Sequence, residues 1–134
     1  MSSFPLKIVT PDGLIYDGQA QMVIVRTING DMAVMARHIN CVTPLGMGRA
    51  TVVIDGQRRY AACIGGMVAV VKGRVNLVPT TFEWAEDIDL KRAENAADRA
   101  KEILNDKESS DADLRLAKAR LMRALVRSSV AKPM

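Results

Sequence analysis

The stretch that decides the fold is EDIDLKRA, Glu86–Ala93, where three carboxylates and two cations crowd into eight positions. On its N-terminal side the chain alternates with a period near two. On its C-terminal side apolar residues return at steps of three and four. Residues 1–84 hold eight Lys/Arg and five Asp/Glu, while residues 85–134 hold eleven and ten, so charge density rises at the same point. A boundary near Trp84 follows, with a β-rich domain over 1–84 and a helical segment over 85–134.

Before that boundary, PDG at 11–13, NG at 29–30, DG at 55–56 and KG at 72–73 punctuate strand-like runs such as AQMVIVRTI, ATVVI, RRYAACI and MVAVV. Two-residue hairpin turns need positive φ, which Asn, Asp and Gly tolerate, so Asn29-Gly30 and Asp55-Gly56 predict hairpins. Many short strands at this spacing predict an antiparallel β-sandwich or barrel. Gly65-Gly66, inside an apolar stretch and with no helix following, predicts a bulge or a close backbone approach.

After the boundary, Leu90, Ala93, Ala97, Ala100 and Leu104 mark one helical seam, and Leu114, Ala117, Leu121, Ala124 and Ser128 another. The polar NDKESSD between them predicts a tight link, with Ser110 or Asp111 capping the second helix. The fold class is therefore α+β, a β-sandwich followed by an antiparallel two-helix hairpin. Residues 86–113 carry ten acids and five bases, whereas 114–134 carry six bases and no acid, so the helices are expected to attract. Because the seams are mainly alanine, and a buried CH₂ contributes only about 0.8 kcal/mol, closure is expected to be weak.

The chain of 134 residues is 49% hydrophobic with formal charge +4, the range of an ordinary globular protein. No apolar run approaches the roughly 20 residues of a membrane span, and MSSFPLKIVT lacks the zones of a signal peptide. Cys41 and Cys63 have neither metal-like spacing nor a second histidine beside His38, which predicts free thiols and no metal site. No nucleophile-and-base pairing is spelled, and neither a P-loop nor a dinucleotide fingerprint occurs. The basic terminal helix, with Arg115, Lys118, Arg120, Arg123, Arg127 and Lys132, either answers the acidic first helix or fits an acidic surface on another protein. The alternative, a nucleic-acid-binding adaptor using this helix, is opposed by an aromatic content of 4%.

Three stretches carry a family resemblance. LKIVTPDGLIYDGQAQMVIVRTINGDMAV, GG followed by MVAVVKGRVNLV, and EWAEDIDLKRAENAADRA resemble, in this order, the epsilon subunit family of bacterial F-type rotary ATP synthases. The pattern Ile/Leu-Asp-x-x-Arg-Ala is matched by Ile88, Asp89, Arg92 and Ala93. The resemblance implies a non-catalytic central-stalk subunit on the cytoplasmic face of the plasma membrane, supporting proton-driven ATP synthesis. Its β-domain would sit against the gamma subunit and the c-ring. Its hairpin would either fold, or extend along gamma toward the alpha/beta hexamer and block ATP hydrolysis. No catalytic cofactor is implied; ATP enters as a regulatory ligand that stabilises the folded hairpin, with the part of magnesium left open.

By the same resemblance Glu83, Ile88, Asp89, Arg92, Ala93, Arg99, Arg123 and Arg127 form the ATP site, in which guanidinium groups grip the triphosphate. Asp31 and His38 are partner-contact candidates on the rotor side, and Arg115, Lys118 and Arg120 on the hexamer side. The competing reading of the cluster is that Asp89 simply caps the first helix. The chain departs from the family where ARHIN replaces a Pro-Gly-His-x-Pro loop and where Ile64-Gly65-Gly66-Met67 replaces Ser-Gly-Gly-Phe.

Overall fold

A computed structural model describes residues 2–132 and resolves two compact units that divide between Trp84 and Ala85. The first unit contains ten strands. These are β1 Phe4–Thr10, β2 Gly13–Ala20, β3 Met22–Thr27, β4 Gly30–Val34, β5 Cys41–Pro44, β6 Met47–Ile54, β7 Gln57–Ile64, β8 Met67–Val71, β9 Arg74–Val78 and β10 Thr81–Trp84. They form two five-stranded sheets, ordered β2-β1-β9-β8-β5 and β10-β7-β6-β3-β4.

Alternation drives each strand to bury one face. In β1, Phe4, Leu6 and Ile8 point inward while Pro5 and Lys7 face out. Leu6, Ile8, Val68, Val70, Val75 and Leu77 of the first sheet share one core with Val23, Val25, Val34, Val52, Ala61 and Phe82 of the second. The expected β-sandwich is present, with one refinement. Among the described residues, the pairing of β1 with β9 is parallel, Leu6 opposite Val75 and Ile8 opposite Leu77, and the rest are antiparallel.

The hairpin signals locate the turns but not always their residues. Asp55 and Gly56 have φ of 51° and 77°, and Lys72 and Gly73 have 50° and 76°, so both pairs make turns with two left-handed residues. At Asn29-Gly30 the loop is instead Ile28 and Asn29, because Thr27 already pairs with Gly30. The Thr27 hydroxyl accepts from the Asn29 amide at 3.1 Å and donates to the Gly30 carbonyl at 2.7 Å. That side-chain clasp closes the loop one residue earlier and leaves the positive φ to Gly30 alone. Gly66 meets its expectation: a Cβ there would lie 2.0 Å from the Val78 carbonyl oxygen.

The second unit opens with one 3-10 turn, Ala85–Asp87, followed by α1 Leu90–Asn105 and α2 Asp111–Ala131. Asp89 caps α1, and Ser110 caps α2 in a capping box with Asp113. The two helices pack along each other through the expected seams: Ala93, Ala97 and Ala100 are buried on α1, and Ala117, Ala124 and Ser128 on α2. The Ser128 hydroxyl donates to the Ala124 carbonyl at 2.9 Å, so the polar seam residue brings no unpaired group inside.

Candidate functional site

A groove of about 310 Å³ opens between α1 and α2. Its floor is apolar, made of Ala96, Ala100, Ile103 and Ala124, and its walls carry Arg99, Arg120, Arg123 and Arg127. The local sequence explains the shape. Alanine at the seam lets two helices approach without filling the space between them, and arginines at steps of three and four on α2 fall on one face. Every charged group of the lining is a guanidinium. The arrangement can hold a multiply charged anion, with bidentate donors arriving from both helices.

The structure thus brings together three of the residues singled out for a nucleotide, Arg99, Arg123 and Arg127. It adds Arg120, a partner-contact candidate by sequence together with Arg115 and Lys118; both of those are exposed and outside the groove lining. The signal for Arg120 was available in its spacing of three from Arg123 and seven from Arg127.

The motif residues lie one to two turns before the groove, at and just ahead of the start of α1. Asp89 accepts the Arg92 backbone N–H at 3.0 Å, and Ala93 is buried in the seam. The Arg92 residue is exposed, and Ile88 precedes the cap. None of the four belongs to the groove lining. Glu83 belongs to the other unit, on β10, paired with Ala62 of β7.

Two features mark the surface of the β-unit. Arg26 and Asp31 face each other across β3 and β4 with 2.7 Å between guanidinium Nε and carboxylate. Both side chains are more than half exposed, so the pair orients more than it stabilises. His38 follows Arg37, whose φ is 69°, and its amide donates to the Met35 carbonyl at 3.2 Å. The outer face of the first sheet is apolar along a row, Pro44 beside Met67 beside Val78, with Val42 next to it and Leu14 opposite Val9 on the far strands. Val42 is 61% exposed and Leu14 58%, in a fold whose inner faces are fully packed.

With this geometry in view, comparison with known proteins is consistent along the whole chain. Residues 3–85 match the beta-sandwich domain of the ATP synthase delta/epsilon chain, and residues 86–132 match its long alpha-helix domain. The ATP synthase epsilon chain of Shouchella clausii is 36% identical over 132 residues, covering 98% of this chain and 97% of that one. That of Bacillus velezensis is 41% identical over 131 residues, 98% of each. That of Bacillus subtilis reaches 43% over 115 residues, 86% of each. The two domains define a delta/epsilon-type subunit, and the full-length similarities place the chain among the ATP synthase epsilon chains, the family to which it belongs. It is accordingly a subunit of a multisubunit synthase rather than an enzyme by itself.

Solved structures share the fold. A chain in a cryo-EM structure of Euglena gracilis mitochondrial ATP synthase superposes with TM-score 0.86 at 20% identity, covering 98% of this chain and 83% of that one. A chain in the Tetrahymena thermophila central stalk and c-ring structure gives 0.62 at 12% identity, covering 96% of each.

Proposed function

We propose that this chain is a non-catalytic central-stalk subunit that restrains ATP hydrolysis through its helical hairpin and releases that restraint when the closed hairpin binds ATP. The observation that carries the reading is the groove, in which four arginines from two helices surround an apolar floor on a hairpin joined by an alanine seam. A seam of this kind closes weakly, so a ligand that binds only the closed form decides its population. At one hundred times Kd such a ligand adds about 2.7 kcal/mol to the closed state. The extended hairpin would turn the basic face of α2 toward acidic surface on the alpha/beta hexamer.

The β-unit supplies the attachment. Its exposed apolar row on the first sheet, together with Asp31 and His38, is suited to the gamma subunit and the c-ring. Among the described residues no helix is long and apolar enough to cross a membrane, and the chain would sit peripherally on the cytoplasmic face of the plasma membrane through the complex.

Deleting residues 88–134 is expected to leave a complex that assembles and hydrolyses ATP without restraint. A complex that assembles and stays latent would refute the inhibitory role. Calorimetry of the whole chain with ATP, repeated on Arg127→Ala and Asp89→Ala, tests the ligand. Equal binding by all three would remove these residues from the site.

A further inference from the structure

Two hairpins of the β-unit close on the same device. In Thr10-Pro11-Asp12-Gly13, between β1 and β2, Thr10 pairs with Gly13, and the Thr10 hydroxyl accepts the Asp12 amide at 3.1 Å and donates to the Gly13 carbonyl at 3.5 Å. In Thr27-Ile28-Asn29-Gly30, between β3 and β4, Thr27 pairs with Gly30, and its hydroxyl makes the same two bonds, at 3.1 Å to the Asn29 amide and 2.7 Å to the Gly30 carbonyl. Both threonines are buried, and both glycines have positive φ, 127° and 111°, with no heavy atom within 4 Å of where a Cβ would stand. The third residue is aspartate in one turn and asparagine in the other.

Asparagine is thermolabile because the main-chain nitrogen of the next residue can attack its side-chain amide carbon. The C–N bond that forms closes a five-membered succinimide, the bond to the side-chain nitrogen breaks, and that nitrogen leaves as ammonia with the main-chain amide proton. Water then adds to one ring carbonyl: breaking the ring bond to Cγ gives aspartate, and breaking the ring bond to the main-chain carbonyl carbon gives isoaspartate. A following glycine, having no Cβ, leaves ring closure unobstructed. Of the five asparagines only Asn29 precedes glycine. It is exposed, and among the described residues no hydrogen bond holds its side-chain amide.

We propose that Asn29 is a spontaneous modification site, deamidating through a succinimide with water as the co-reactant, and that the fold keeps the aspartyl product. The twin turn shows how the product is kept. Aspartate at the third position leaves both bonds of the threonine hydroxyl in place, because they run to main-chain atoms. Isoaspartate instead carries the main chain through an added methylene and breaks the clasp. The aspartyl form sets a new carboxylate two positions from Asp31, so the end of this hairpin gains a negative charge next to the ion pair of Asp31 with Arg26.

The test is peptide mapping by mass spectrometry of the whole chain after incubation at mildly alkaline pH, folded and unfolded in guanidinium chloride. Cleavage after arginine releases residues 27–37, in which Asn29 carries the sole side-chain amide. The folded chain is expected to accumulate deamidated 27–37 ahead of every peptide bearing another asparagine, and Asn29→Gln to lose that signal. A folded chain that keeps Asn29 intact over a time in which the unfolded chain converts overturns the proposal, because the turn then blocks ring closure. Asn29→Asp, which makes the aspartyl product directly, is expected to keep the urea midpoint of the natural chain. A lowered midpoint overturns the retention of that product by the fold.

Discussion

The Asp89 carboxylate accepts a hydrogen bond from the main-chain N–H of Arg92 at 3.0 Å, so the two charged residues of the Asp-x-x-Arg motif are joined through the Arg92 backbone. Asp89 has an extended backbone and stands immediately before Leu90, the position where a short polar side chain satisfies an otherwise unpaired helical donor. The capping reading of this residue holds whether or not a nucleotide binds. Asp89→Ala is therefore expected to destabilise the hairpin by about 1 kcal/mol, and Asp89→Asn, which caps as well, by much less. Thermal unfolding followed by far-UV circular dichroism compares the two. A ligand defect shared by Ala and Asn would point to the charge, and one confined to Ala to the cap.

A second pair anchors the last strand of the β-unit. The Arg59 guanidinium carbon lies 3.7 Å from the centre of the Trp84 ring, and Phe82 meets the same ring edge-on with 5.0 Å between centroids. Trp84 is the only tryptophan in the chain, which makes the stack visible in fluorescence. Arg59→Ala is expected to cost about 1 kcal/mol, from the lost cation–π contact and the packing of the arginine stem, and to shift the emission of Trp84 to the red as water reaches the ring. An unaltered spectrum in a folded Arg59→Ala protein would show that the stack is not populated in solution.

These residues also show what a sequence makes legible. Local rules worked where a local group decides the outcome. Gly66 was readable as a close approach because a side chain would strike the Val78 carbonyl, and the alanine seams were readable because helical spacing alone puts them on one face. The turn at Asn29-Gly30 falls one residue earlier than its motif indicates because the Thr27 hydroxyl, outside the two-residue motif, closes the loop. The parallel pairing of β1 with β9 was not readable, since strands almost seventy positions apart carry no local mark of their partner. Arg120 was visible as a basic residue, but its membership of the groove depends on how α1 and α2 pack together, and spacing on one helix reports only half of that.

The ARHIN loop stores strain that the related Pro-Gly-His pattern avoids. Arg37 has φ of 69°, in the left-handed region, at the position where that pattern carries glycine. A non-glycine residue costs about 1–2 kcal/mol there, against which glycine loses more freedom from the unfolded chain. Arg37→Gly is expected to raise stability by about 0.5 kcal/mol, and Arg37→Val, β-branched, to lower it. Urea unfolding of the three proteins gives the order. A glycine variant less stable than the natural chain would mean that Arg37 makes a compensating contact.

Cys41 and Cys63 differ in reactivity because they differ in solvation. Cys63 is 3% exposed within the sandwich core, and burial there raises its thiol from 9.0 to about 12, whereas Cys41 on β5 is only partly covered. The thiolate is the reacting species, so iodoacetamide at mildly alkaline pH is expected to modify Cys41 alone in the folded protein and both residues after unfolding. The same shift links stability to pH. Below pH 9 both states hold the Cys63 proton and nothing is lost; between about 9 and 12 the unfolded chain releases it while the folded one does not, so stability falls as pH rises. From pH 8 to pH 10 this amounts to about 1.4 kcal/mol for one group. Cys63→Ala removes that component, so its urea midpoint should drop less over the interval than that of the natural chain. Parallel losses in the two proteins would assign the alkaline sensitivity to other groups and show that Cys63 ionises freely in the folded state.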